Sequence, residues 1–168
     1  FFDLDRTLIS GSSAFTLAIQ ARKSGLIPTH QFVRDAVGAI AFKLFGASDD
    51  TTDEVRERIL GAVTGARQAD LQALNAEIIP RLMERVRPEA KRLLERHRNA
   101  GRDTFIVSAA PQEIVEPLAH ALGMTGGIGT RSCVEGGVYT GELEGPFCYG
   151  DGKVEAMEEI EAWNEYDL

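Results

Sequence analysis

The chain has 168 residues, with 18 Lys and Arg against 26 Asp and Glu, giving a formal net charge of −8. That balance excludes the basic stripe needed to grip nucleic acid or an anionic membrane, and no apolar run reaches the ~20 residues of a membrane span. A 43% hydrophobic content suits a globular domain, and the two cysteines, Cys133 and Cys148, show neither disulfide nor zinc-site spacing, which suits a reducing, cytoplasmic compartment.

In chain order, Phe1–Leu4 reads as a short buried strand. A long run of amphipathic helices follows. The first covers Ala14–Ser24 and is stopped by Gly25. A second begins after Pro28-Thr29, with Phe32, Val33, Ala36, Val37, Ile40, Ala41 and Leu44 on a wide apolar face. A third reaches about Val63, and a fourth spans about Gln68–Val86 with Leu71, Leu74, Ile78 and Leu82 inward and a kink expected at Pro80.

From Arg87 the rhythm changes. Pro88 opens a helix to about Asn99, and Thr104–Val107 is a continuous β-branched and apolar run, as expected of a strand buried on both faces. Pro111 opens the next helix, to Leu122-Gly123; Ile128–Arg131 is a weaker strand. Cys133–Leu143 forms a hairpin around Glu135-Gly136-Gly137, and a last helix runs from about Lys153 to Tyr166 with Val154, Met157, Ile160 and Trp163 on one side. Strands alternating with helices predict an α/β fold with a parallel sheet wrapped by helices. The insertion of residues 12–86 is too long for a loop and predicts a separate helical lobe.

In such sheets ligands sit beyond the carboxyl ends of the strands. After the first strand stands Asp3-Leu4-Asp5-Arg6-Thr7-Leu8-Ile9. Two carboxylates there could share a divalent cation, or divide labour between attack on phosphorus and proton transfer; a solvated turn with Asp5 as a cap is the other reading. After the buried strand, Ser108-Ala109-Ala110-Pro111 suits phosphate binding by a hydroxyl and free backbone N–H groups, or plain helix capping. Lys153 stands at the start of the last helix, where a cation is unfavourable unless an anion needs it; an exposed lysine is the alternative.

The order of these motifs, together with the helical insertion and the hairpin Gly136–Glu142, resembles the haloacid dehalogenase superfamily of phosphohydrolases, in its phosphoserine-phosphatase-like branch. The resemblance runs along essentially the whole chain. It implies a Rossmann-like three-layer core from residues 1–11 and 87–168, with residues 12–86 as an α-helical cap. It implies Asp3 as a nucleophile forming an aspartyl-phosphate and Asp5 as the acid and base. It further implies Thr7, Ser108, Ala109 and Lys153 around the phosphate, and Mg²⁺ held by Asp3 and the Asp5 carbonyl. The expected substrate is a small phosphomonoester.

Two departures stand out. The acidic pair that completes the metal site in that family is expected just past Leu168, so the core reads as C-terminally incomplete. The Glu that phosphoserine phosphatases carry nine residues after the nucleophile is Ser12 here, while Arg58 resembles their cap arginine. Alternatives are a non-catalytic phosphate-binding or regulatory module, the phosphatase-like domain of a larger lipid-metabolism fusion, and an Asp-x-Asp glycosyltransferase.

Overall fold

The structure, a computed structural model, describes residues 1–26, 56–57, 60–61 and 63–164. The second predicted helix, most of the third, and Arg58 lie outside the described residues. Strands β1 (Phe2–Asp3), β2 (Phe105–Pro111) and β3 (Gly126–Thr130) form a sheet in the order β1-β2-β3 with both pairings parallel. The parallel α/β prediction therefore holds. Strands β4 (Ser132–Glu135) and β5 (Val138–Leu143) make the predicted antiparallel hairpin.

The helices are α1 (Ser13–Lys23), α2 (Gln68–Ala73), α3 (Asn75–Glu84), α4 (Pro88–Asn99), α5 (Gln112–Ala121) and α6 (Gly152–Asn164). Strand β2 alternates its side chains between two apolar clusters, as the two-residue period demands. Ile106 joins Leu4, Ile78, Leu82, Leu94, Ile114 and Leu118 on the face covered by α3, α4 and α5. Val107 joins Ile128, Cys148 and Ala156 on the α6 face. Helices thus cover both faces, giving three layers.

Several local expectations need correcting. The predicted helix over Gln68–Val86 is two helices, and the break falls at Leu74 rather than Pro80. Leu71 and Leu74 both turn inward there, and the Asn75 side-chain amide donates to the Glu113 carbonyl at 2.7 Å, which redirects the chain toward α5. Pro80 sits inside α3 without ending it. The buried face of α1 is polar, made by Ser13, Thr16 and Gln20 with Ala21. On α6, Val154 is 50% exposed, and Ala156 takes the buried place expected of it.

Strand β3 begins at Gly126, earlier than predicted, because its glycines admit α5 at close range. A Cβ on Gly127 would lie 2.6 Å from the Val115 carbonyl oxygen, and one on Gly129 would lie 2.7 Å from Gln112 Cα. This closeness lets α5 side chains satisfy the strand's outer edge. Gln112 Nε2 donates to the Gly127 carbonyl at 2.8 Å, the Gly129 N–H donates to Gln112 Oε1 at 2.6 Å, and the Gly127 N–H donates to Glu116 Oε2 at 2.8 Å. Side chains here stand in for a neighbouring strand and blunt an edge that would otherwise invite pairing.

The hairpin is tied to the segment before α2. The Tyr139 N–H donates to the Ala66 carbonyl at 3.0 Å, and the Gly65 N–H donates to the Tyr139 carbonyl at 2.9 Å. The Tyr139 side chain is 2% exposed. Burial first, and the Glu113 carboxylate second, push its phenol well above the ordinary value of 10.0. The folded state therefore keeps the proton while the unfolded chain loses it above about pH 10, so stability falls as pH rises beyond that point. Relative to Tyr139→Phe, the wild type should lose an extra ~1.4 kcal/mol per pH unit there, measured by urea denaturation at successive alkaline pH values; parallel curves would refute it.

Candidate active site

The site is built where β1 ends. Leu4, Leu8 and Ile9 are fully buried, and the Leu8 and Ile9 N–H groups turn back to donate to the Leu4 carbonyl at 3.1 and 3.0 Å. This tight turn leaves the intervening polar residues at the rim of the sheet. Arg6 takes the left-handed conformation, φ 63°, in which a non-glycine residue carries strain, and its N–H donates to the Gly11 carbonyl at 3.0 Å.

Asp3 is the centre of the arrangement. Its Oδ2 accepts from Thr7 Oγ1 at 2.8 Å, and its Oδ1 pairs with the Lys153 ammonium. The Asp3 side chain remains 41% exposed and that of Lys153 28%, so the ion pair faces solvent rather than the interior. Lys153 reaches this position through the turn before α6. The Gly152 N–H donates to the Tyr149 carbonyl at 3.1 Å, and a Cβ at Gly152 would fall onto the Phe147 carbonyl oxygen. The anion that makes a lysine acceptable at a helix N-terminus is thus Asp3.

Ser108 stands one residue beyond Val107, the register partner of Asp3 on the adjacent strand. It is 3% exposed, and its Oγ accepts from the Ala110 N–H at 3.2 Å. It does not cap a helix: β2 continues through it, with a register shift between Val107 and Pro111, and α5 starts after Pro111. Ala109 follows, half-buried. The structure thus joins Asp3, Thr7 and Lys153 by direct contact and sets Ser108 on the neighbouring strand.

Asp5 turns to a different partner. Its Oδ1 accepts from the Ser13 N–H at 2.6 Å, and its Oδ2 from Ser13 Oγ at 3.0 Å. Ser13 was not singled out from the sequence; its contact is formed across eight residues and carries no local signature. Ser12, the expected substrate contact, is the N-cap of α1, its Oγ accepting from the Phe15 N–H at 3.4 Å.

Among the described residues no group of three or more His, Cys, Asp and Glu converges. Asp3 and Asp5 still offer hard oxygen donors at the end of one strand. Mg²⁺ commonly takes one or two carboxylates and completes its shell with water and substrate oxygens, so this donor set fits the ion.

Residues 1–168 match the family described as haloacid dehalogenase-like hydrolase. The chain belongs to this family. It is 36% identical over 169 residues to a probable phosphatase of Mycobacterium tuberculosis, covering 100% of this chain and 58% of that protein. It is 35% identical to the inhibition of morphological differentiation protein of Streptomyces azureus, covering 100% and 61%. It is 31% identical to a phosphoserine phosphatase of M. tuberculosis, covering 95% and 53%. The chain therefore spans a little over half the length of these curated relatives.

Among solved structures, a Bordetella pertussis protein matches with a TM-score of 0.81 at 23% identity, covering 96% of this chain and 72% of that one. A phospho-aspartyl intermediate analogue of phosphoserine phosphatase matches with a TM-score of 0.62 at 20% identity, covering 99% and 71%. At these identities the likeness is one of fold, and it gives the haloacid dehalogenase-like chain its Rossmann-like core.

Near the site, burial pushes the Cys148 thiol up to about 11, against the opposing charges of Arg131 and Lys153. The thiol is 1% exposed and contacts the Gly129 carbonyl at 3.3 Å. Iodoacetamide at pH 8 should leave native Cys148 unmodified and label it only on unfolding, as peptide mass mapping would show; rapid native labelling would contradict this. No helix among the described residues is long and apolar enough to cross a membrane.

Proposed function

We propose that this chain is the catalytic part of a phosphomonoesterase acting on a small phosphorylated metabolite through an aspartyl-phosphate at Asp3, with Mg²⁺ as cofactor. The observation that carries this reading is the Asp3 carboxylate held between a lysine ammonium and a threonine hydroxyl at the carboxyl end of a parallel strand. Such an anchored, solvent-facing carboxylate is oriented for attack, and its cation is placed where phosphoryl oxygens would arrive.

In this reading one Asp3 oxygen bonds to phosphorus while the bond to the leaving oxygen breaks. The departing electron pair stays on that oxygen, which takes a proton from Asp5. Asp5 then accepts a proton from water as the water oxygen attacks phosphorus, which returns Asp3 and releases inorganic phosphate. Lys153 and Thr7 keep the carboxylate in line, and Ser108 and the Ala109 N–H hold phosphoryl oxygens. The Asp3 carboxylate and the Asp5 carbonyl would hold Mg²⁺, which when bound would supply charge neutralisation between nucleophile and phosphate.

In this proposal residues 12–86 are the helical cap, joined to the core through the packing of α3, and Ser12 and Arg58 are its candidate substrate contacts. Ser12 caps α1 through its oxygen and keeps its hydroxyl proton for that task. A phosphorylated metabolite and two free thiols, Cys133 and Cys148, support a cytoplasmic setting. The test is phosphate release by the intact protein from an aryl phosphate and a panel of phosphorylated metabolites, with Mg²⁺ or with chelator. Release that depends on Mg²⁺ is expected. Binding without release in the presence of Mg²⁺ would replace the enzyme with a phosphate-binding module.

A further inference from the structure

We infer that Ser13 is a positioning residue for Asp5, fixing the plane of its carboxyl group and therefore the direction in which it hands over its proton. The inference rests on the acid and base role proposed for Asp5. A carboxylate offers about four lone-pair sites, two on each oxygen. Ser13 engages both oxygens of Asp5 from one residue, its N–H on Oδ1 at 2.6 Å and its hydroxyl on Oδ2 at 3.0 Å. A two-point fork removes rotation about the last side-chain torsion, and it leaves one lone pair on each oxygen free for chemistry. The serine hydroxyl both donates and accepts, so it follows the carboxyl through loss and gain of a proton without moving.

The fork is itself supported. Ser13 is 2% exposed, so no water competes readily for its hydroxyl. It is the first residue of α1, and one turn further on Thr16, 6% exposed, accepts from Arg85 Nη1 at 2.9 Å. The Arg85 guanidinium also occupies the space beside Gly11 that a Cβ would need. The Ser10 N–H donates to the Arg85 carbonyl at 2.8 Å. The turn that joins Asp5 to Ser13 and the helix carrying Ser13 are thus both bound to one arginine, which restrains how the serine meets the carboxylate. A residue buried this way and spent entirely on a neighbouring carboxylate is explained by orientation rather than by core packing, where an alanine would serve.

The measurement is kcat/KM on two substrates, an aryl phosphate with a good leaving group and an alkyl phosphate whose alkoxide must be protonated as it departs. An acid contributes most to the second. Ser13→Ala should lower kcat/KM for the alkyl phosphate by about 10- to 100-fold and for the aryl phosphate by less than about 3-fold. Ser13→Thr, which restores the hydroxyl, should recover most of the alkyl activity. Ser13→Cys, a weak donor of similar size, should fall between and serves if the alanine variant folds poorly, as judged by circular dichroism and Tm. Equal losses on both substrates, or no loss on either, would overturn the positioning role. Asp5→Asn separates the underlying reading: if it retains alkyl phosphate turnover, the acid role of Asp5 falls, whereas its collapse beside an unaffected Ser13→Ala condemns the inference alone.

Discussion

Asp3→Asn is expected to lower kcat by at least ~3 decades while leaving the fold intact. Loss of a covalent nucleophile removes the reaction path itself, not one stabilising contact within it. The amide keeps the shape of the carboxylate and can still accept from the Thr7 hydroxyl, which donates at 2.8 Å in the native site. It loses the charge that pairs with Lys153. That pair is partly exposed, so its loss should have little effect on stability, and Tm should stay close to the native value. Acid-quenched protein should show a covalent phosphate by mass spectrometry in the wild type under turnover and none in the variant. Near-normal turnover in Asp3→Asn would end the nucleophile assignment.

Gly129→Ala is expected to destabilise the protein by about 3 kcal/mol, and Gly129→Val by more. The added Cβ at position 129 meets Gln112 Cα at 2.7 Å and the Ala110 carbonyl oxygen at 2.8 Å. Both are backbone atoms, so no side chain can swing aside to admit it. Relief requires α5 to lift from the sheet, which would disturb Ile114, Val115 and Leu118, all essentially inaccessible to solvent. It would also break the Gln112 bonds that close the outer edge of β3. Gly127→Ala should behave alike, since its Cβ meets the Val115 carbonyl oxygen at 2.6 Å. For a domain of this size the shift in Tm should be on the order of 6–12 °C by calorimetry. Helical Gly61 is the control. Among the described residues nothing lies within 4 Å of a Cβ placed there, and its φ is not positive, so Gly61→Ala should be neutral or gain up to about 1 kcal/mol. Equal effects at positions 61 and 129 would refute the argument from close approach.

Some features of the fold and site are written locally in the chain, and others arise only from tertiary contact. The acidic turn after β1 was legible because its apolar neighbours Leu4, Leu8 and Ile9 alternate with the polar residues and must go inward, which leaves the carboxylates at the rim. Strand β2 was legible as a continuous β-branched run, and the hairpin from its paired glycines. Strand β3 was half-legible: glycine weakens any strand signal, and the reason for Gly126-Gly127 and Gly129 lies in the nearness of a helix that the linear pattern does not display. The division of the fourth predicted helix was misplaced because proline is the visible breaker, while the actual break at Leu74 is set by a side-chain bond from Asn75 to α5. Lys153 was found from its odd position at a helix start. Ser13 was missed because a serine beside an N-cap looks like part of the cap, and only the folded turn brings Asp5 against it.

The ion pair at the site joins residues 150 positions apart. During synthesis, therefore, the first strand and its acidic turn emerge from the ribosome long before their cation does. Until residue 153 clears the exit tunnel, Asp3 can have its local Thr7 hydroxyl but not its lysine ammonium. Under the role proposed for Asp3, the cation-paired carboxylate is therefore assembled only late in synthesis.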